Sequence, residues 1–242
     1  MCKKRYELLD TLRGFSLLNM IGYHFIWDLI YIFSVIDNTM PNLFYIWQQF
    51  ICISFIFISG FCWQLSHNHL KRGALIFICG LSISLVTYIF TPKNTIIFGI
   101  LTFLGSATLI IILLHKILSH LKPLTGFLLS LFFFIFFRQI TRGYIGFPFY
   151  KIQLSDKIYT NHFTAYLGFP HDDFTSADYF PILPWIFLFI SGYYAYEYCY
   201  NHKLLSYFEK KLSPFLNYLG KKSLIIYLLH QPIIYSLLNI AL

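Results

Sequence analysis

The chain has 242 residues, 57% hydrophobic and 12% charged, with a formal net charge of +8. Soluble domains carry about 25% charged residues, so this composition excludes an ordinary water-soluble domain and points to a polytopic membrane protein. The basic excess is then expected in cytoplasmic loops, where lysine and arginine accumulate, and nucleic acid is not an expected partner.

The first apolar segment, Leu8–Phe33, is too long for the core of a cleavable leader and has no small-residue cleavage site after it, so it is expected to stay as a spanning helix. It also carries Asp10, Arg13, His24 and Asp28. A helix turns ~100° per residue, which puts the four on one stripe roughly 60° wide. Charges at the bilayer centre cost on the order of 2.5–3.5 kcal/mol each, so the stripe must face a bundle interior or a water-filled cavity. At ~1.5 Å per residue, His24 lies roughly 16 Å beyond Arg13. Asp28 follows one turn later, where its carboxylate is expected to accept a hydrogen bond from the imidazole and fix its tautomer.

Six further apolar segments follow: Phe44–Leu65, Ala74–Phe90, Ile96–Leu114, Leu124–Phe137, Phe180–Tyr198 and Leu224–Leu242. The fold class expected is all-α: one transmembrane helical bundle over residues 1–242, with about seven spanning helices. The fifth segment is short and must borrow flanking residues such as Ile140. Segments on the N-terminal side of the membrane hold Lys3, Lys4, Arg5, Lys71, Arg72, Lys116, Lys122, Lys203, Lys210, Lys211, Lys221 and Lys222. The opposite side holds Lys93, Arg138, Arg142, Lys151 and Lys157. This asymmetry puts the N-terminus in the cytoplasm and the C-terminus outside.

Residues 138–179 form a long extracytoplasmic connection, and connections of that length are often functional. "YTNHFTAYLGFPHDDFTSADYFPILPW" is rich in aromatics, Asp and His, including His171, Asp178 and Trp185. These residue types bind sugars but also populate ordinary membrane interfaces. The last segment, "SLIIYLLHQPIIYSLL", places Ser223, Tyr227 and His230 within ~60° of one another. Pro232 frees a carbonyl near Leu228, so His230 is a candidate wall of a cavity. His67, His69, His115, His120 and His202 fall at cytoplasmic ends and are expected to be interfacial.

Arg13, Lys71, Arg72, Lys221 and Lys222 flank inner helix ends, where a ligand with several phosphates would be favoured; plain positive-inside bias and lipid headgroup contact account for most of them. The cysteines, Cys2, Cys52, Cys62, Cys79 and Cys199, form no CxxC and are expected as free thiols. No HExxH motif, nucleotide loop or GxSxG elbow occurs, and no metal is expected.

"LLDTLRGFSLLNMIGYH" resembles the first-helix signature of membrane acyltransferases, an Arg followed by ten residues and a His; Arg13 and His24 have that spacing. "RYELLDTLRG", "YHFIWDL", "FISGF", "IIFGIL", "SADYFPILPW" and "LGKKSLIIYLLHQP" more closely resemble the bacterial family named after the catalytic domain of heparan-α-glucosaminide N-acetyltransferase. The resemblance implies an O- or N-acyltransferase that moves an acetyl or other acyl group from cytosolic acyl-CoA to an acceptor, often a sugar or glycan reached from the other face. It implies His24 as the catalytic histidine, with Arg13 near the donor. Thr102 follows "FGIL" where many relatives are expected to carry His, so any role of that side chain would be absent here.

The residues fit that chemistry. His24, held by Asp28, would deprotonate the acceptor or take the acyl group itself. Arg13, Lys71, Arg72, Lys221, Lys222 and His230 would meet the donor, and Asp178, Trp185 and His171 the acceptor. The expected partners are membrane lipid, acyl-CoA and a carbohydrate acceptor, in the cell membrane, and the chain could also form a homodimer. Two alternatives stay open: a small-solute transporter with a His–Asp proton relay, and a scaffolding bundle without activity.

Overall fold

The computed structural model describes residues 5–242. Cys2, Lys3 and Lys4, which enter the thiol and charge readings above, lie outside the described residues. The chain forms two compact units, one of Met1–Ile58 with Cys199–Leu242 and one of Ser59–Tyr198.

In the first unit, α1 (Glu7–Trp27) opens with Glu7 and Asp10 in its first turn, where negative charge suits the helix dipole. It continues into a π-helical turn, Asp28–Ile32, in which the Phe33 N–H reaches back to the Asp28 carbonyl at 2.9 Å. Leu17, Met20 and Tyr23 of α1 form a buried core with Ile51 of α2 (Pro41–Phe61). The Trp47 indole N–H donates to the Asn19 side-chain oxygen at 3.0 Å and fixes the pairing of the two helices.

The helices α3 (His69–Phe90), α4 (Ile100–Leu118) and α5 (Pro123–Phe136) belong to the second unit. Small residues bring α3 and α4 together: Gly80 lies against the Thr102 backbone and Gly105 against Phe77, so a Cβ at either would press on its neighbour. Thr102 is buried by this approach. The connection 138–179 is more ordered than its sequence suggests. It contains an antiparallel hairpin, β1 (Tyr144–Phe147) with β2 (Tyr150–Gln153), Tyr144 opposite Gln153. A short helix follows, α6 (His162–Leu167), opened by a reciprocal Asn161–Thr164 cap.

α7 (Ile182–Asn201) is deeply buried in this unit, with Phe189 and Tyr193 almost fully enclosed. Two elements complete the first unit. α8 (Pro214–Lys221) starts on the Ser213 side chain, which accepts the Leu216 N–H at 3.3 Å, with proline at its first position. α9 (Ser223–Ala241) runs as a helix through Pro232. α8 is absent from the sequence expectations. It packs on α1 at two glycines: Gly14 faces the Leu216 carbonyl, Gly220 faces the Asp10 carbonyl, and neither leaves room for a Cβ.

Among the described residues, six helices are long and apolar enough to cross a membrane: Glu7–Ile32, Pro41–Phe61, His69–Phe90, Ile100–Leu118, Pro123–Arg142 and Ser223–Ala241. The fifth borrows its flank through Ile140, as expected. α7, counted above as a span, has the length without the hydropathy. Its sequence carries Tyr193, Tyr194, Tyr196, Tyr198 and Glu197. These polar groups are met inside the unit: Glu197 accepts from the Gln64 amide, and the Tyr194 hydroxyl donates to the Leu118 carbonyl at 2.9 Å. A helix enclosed by neighbours can carry such groups because it need not be apolar all round.

Candidate functional site

The polar stripe of α1 divides into two parts. At its start, Asp10 is buried and accepts from both Arg5 and Arg13. Arg13, expected near a donor, is therefore paired with a carboxylate of its own helix. The Glu7 carbonyl nearby accepts the Asn217 side-chain amide of α8 at 3.0 Å, so this end of the stripe ties α1 to α8.

The far end holds His24 and Asp28. The expected hydrogen bond between them is not formed. The Asp28 carboxylate is fully buried, and both its oxygens accept the Gln231 amide of α9, at 2.8 and 3.0 Å. An i,i+4 spacing places two side chains on one face without deciding which partner each takes. Here a side-chain amide from a distant helix takes the carboxylate, and the backbone of that helix turn is π-helical from Asp28 onward.

His24 faces another imidazole instead. Its ring centroid lies 5.0 Å from that of His230 on α9, with the planes tilted by 58°. Tyr23 lies edge-on to His24 at 5.6 Å, and Tyr227 lies 5.3 Å from His230. His230 is buried, and its Nδ1 lies 2.5 Å from the Tyr227 carbonyl oxygen. His230 Nε2 and Gln231 Oε1 are buried with no hydrogen-bond partner among the described residues. His24, His230, Asp28 and Gln231 thus form a polar group between α1 and α9. Gln231 is the member that sequence reasoning missed, although it stands inside the "HQP" motif.

The second unit contains a small cavity of about 20 Å³, room for roughly one water. Ser66, His69, Arg72, Thr108 and Trp63 line it. The His69 ring stacks on Trp63 at 3.9 Å, and the Trp63 indole N–H donates to the Thr108 carbonyl at 3.1 Å. His115 Nδ1 lies 2.9 Å from the Tyr193 hydroxyl, and its ring sits 5.3 Å from that of Trp63. Two histidines expected at an interface are therefore gathered around one buried tryptophan. Of the expected donor contacts, Arg72 lines this cavity and Lys71 is exposed. Lys221 and Lys222 are exposed in the first unit, at the end of α8.

The three expected acceptor contacts have identifiable work in the second unit. Asp178 accepts the Ile100 N–H at 3.2 Å and so caps the start of α4. Removal from water pushes its carboxyl up from 3.8 to about 6, and the Ile100 N–H draws it partly back. Trp185 is buried between Phe134 and Phe180, with the Arg138 guanidinium 4.6 Å above its ring. His171 pairs with His162 at 3.4 Å, and both rings lie against Phe174. Of the three, His171 alone neither caps a helix nor packs in the core.

The family model described as heparan-alpha-glucosaminide N-acetyltransferase, catalytic, matches residues 5–232. No curated protein and no solved structure matches the chain.

Proposed function

The chain belongs to that family and is a multi-pass membrane protein of acetyltransferase type; on this premise we propose that it moves an acetyl group from cytosolic acyl-CoA to a sugar or glycan acceptor in the cell membrane. The observation that supports this reading best is the pair of imidazoles, His24 and His230, brought within 5.0 Å of each other on α1 and α9. Acyl transfer needs a group that accepts a proton near neutral pH while an oxygen or nitrogen attacks a carbonyl, and imidazole is the side chain best suited to it.

In the proposed reaction the acceptor's O–H or N–H gives up its proton as its heteroatom attacks the thioester carbonyl. The C–S bond then breaks and CoA leaves as the thiolate, which takes up a proton. One imidazole of the pair receives the acceptor's proton, or His24 takes the acyl group first as an acyl-imidazole. Asp28 does not orient His24; with Gln231 it holds α1 against α9. In the first unit, Lys221 and Lys222 are exposed cations suited to the phosphates of CoA, and in the second unit Lys71 is exposed and Arg72 half-buried. Arg13 contributes less than its charge suggests, because Asp10 shares it. His171 is the proposed acceptor contact of the outer connection.

The transporter alternative needs a His–Asp relay, and Asp28 is committed to Gln231 on both oxygens. Purified protein in detergent tests the acyltransferase reading. Acetyl-CoA is expected to raise its melting temperature in a concentration-dependent way. His24→Ala is expected to keep that stabilisation and to lower transfer. Absence of both acetyl-CoA binding and acetyl transfer in the unaltered protein defeats the reading.

A further inference from the structure

The two histidines are not equivalent, and the difference lies in what holds each ring. His24 makes no hydrogen bond among the described residues; its neighbours are the rings of Tyr23 and His230. His230 has a fixed partner, the Tyr227 carbonyl oxygen, 2.5 Å from Nδ1. A carbonyl oxygen only accepts, so Nδ1 must carry the hydrogen. In the neutral ring the lone pair then sits on Nε2. That atom is buried and has no partner among the described residues.

The residue beside it has the same character. Gln231 turns its amide nitrogen to Asp28, which leaves its side-chain oxygen as an acceptor, also buried and without a partner among the described residues. Buried polar atoms in proteins are nearly always paired. Two consecutive residues of α9 therefore present buried acceptors that no described residue satisfies. What complements an acceptor is an O–H or N–H group. A thioester carbonyl cannot supply one, whereas a sugar hydroxyl or amine can.

We propose that His230 is the general base of the reaction, its tautomer set by the Tyr227 carbonyl, and that Nε2 takes the proton of the acceptor's hydroxyl or amine. This rests on the acyl-transfer reading above. The bond formed is N–H on His230 Nε2, as the acceptor O–H or N–H breaks and its heteroatom bonds to the thioester carbon. The proton then passes to the departing CoA thiolate, which restores the ring. His24, 5.0 Å away and without an orienting partner, is left to line the acyl group.

The test uses purified full-length protein, acetyl-CoA as donor, and glucosamine or water as acceptor, with release of the CoA thiol as readout. His230→Asn keeps a side-chain N–H where Nδ1 stood, so the bond to the Tyr227 carbonyl can survive while the base is gone. It is expected to lower kcat about 10²–10⁴-fold, the usual contribution of a general base, with the KM for acetyl-CoA and the melting temperature held. His230→Ala is expected to regain part of the lost rate when imidazole is added. Unchanged turnover in His230→Asn overturns the assignment while the acyl-transfer reading stands. Loss of acetyl-CoA binding in both variants, without imidazole rescue, makes His230 a structural residue and also overturns it. If the unaltered protein neither binds acetyl-CoA nor releases CoA, the donor reading falls and this assignment with it.

Discussion

Gln231 donates its side-chain amide to both carboxylate oxygens of Asp28, joining positions 203 residues apart in the chain. Asp28 is fully enclosed, so its carboxylate depends on this partner for what water would otherwise provide. Gln231→Leu leaves a buried carboxylate without its amide and is expected to cost roughly 3 kcal/mol or more. Asp28→Asn keeps one acceptor oxygen and is expected to cost about 1 kcal/mol. Denaturation of the two variants in detergent checks the ordering, and the reverse order refutes a charged, amide-dependent Asp28.

The glycines between α1 and α8 give a sharper contrast. A Cβ at Gly14 collides with the Leu216 carbonyl, and one at Gly220 with the Asp10 carbonyl; both obstacles are backbone. Gly14→Ala and Gly220→Ala are therefore expected to destabilise by about 1–3 kcal/mol. At Gly22 the nearest atoms are those of the Trp47 ring at 3.6 Å, an ordinary contact. Gly22→Ala is expected to be neutral or to stabilise by up to about 1 kcal/mol through helix propensity. Melting temperatures of the three variants, measured side by side, test the packing of α8 on α1.

Asp178 carries a pH signature. Its folded-state pKa of about 6 stands above its ordinary value of 3.8, so between those values the folded protein binds more protons than the unfolded chain. Stability from this group is fully present below about pH 4 and is lost as pH rises towards and through about 6. Asp178→Asn keeps an oxygen for the Ile100 N–H and cannot ionise. Thermal midpoints across about pH 4–7 are expected to lack that fall in the variant and to show it in the unaltered protein. Parallel profiles would remove the assignment.

The membrane topology depends on α7. With α7 as a span, the N-terminus is cytoplasmic and the C-terminus lies outside. A reporter active only outside the cytoplasm, fused after Leu242, is expected to be active. An inactive fusion, with the same reporter active in the 138–179 connection, removes α7 as a span.

The spanning helices were legible because an apolar run of about 20 residues matches the thickness of the hydrocarbon core and is rare in water-soluble chains. Less visible were elements stabilised by local caps and turns. α8 sits in a basic stretch that reads as a plain cytoplasmic segment, although Ser213 followed by Pro214 is a helix-start signal. The hairpin Tyr144–Gln153 has strands of four residues, too short for alternation to stand out. At the site, helical spacing correctly put His24 and Asp28 on one stripe. It could not reveal the competing amide of Gln231, because side-chain pairing between helices depends on rotation and register that one sequence does not encode visibly. His69 and His115 read as interfacial for the same reason: the tryptophan that gathers them comes from another segment.

The distance along the chain between Asp28 and Gln231 has a consequence for how the protein is made. Ribosomes add about 5–20 residues per second, so roughly 10–40 seconds separate the emergence of the acid from that of its amide. During that interval the first helix has no access to the ninth, and its buried acid must be tolerated in the insertion machinery or shielded at the lipid boundary. A ribosome that stalls before the last helix leaves a nascent polypeptide whose opening segment is poorly suited to the bilayer, and quality-control proteases would meet it there.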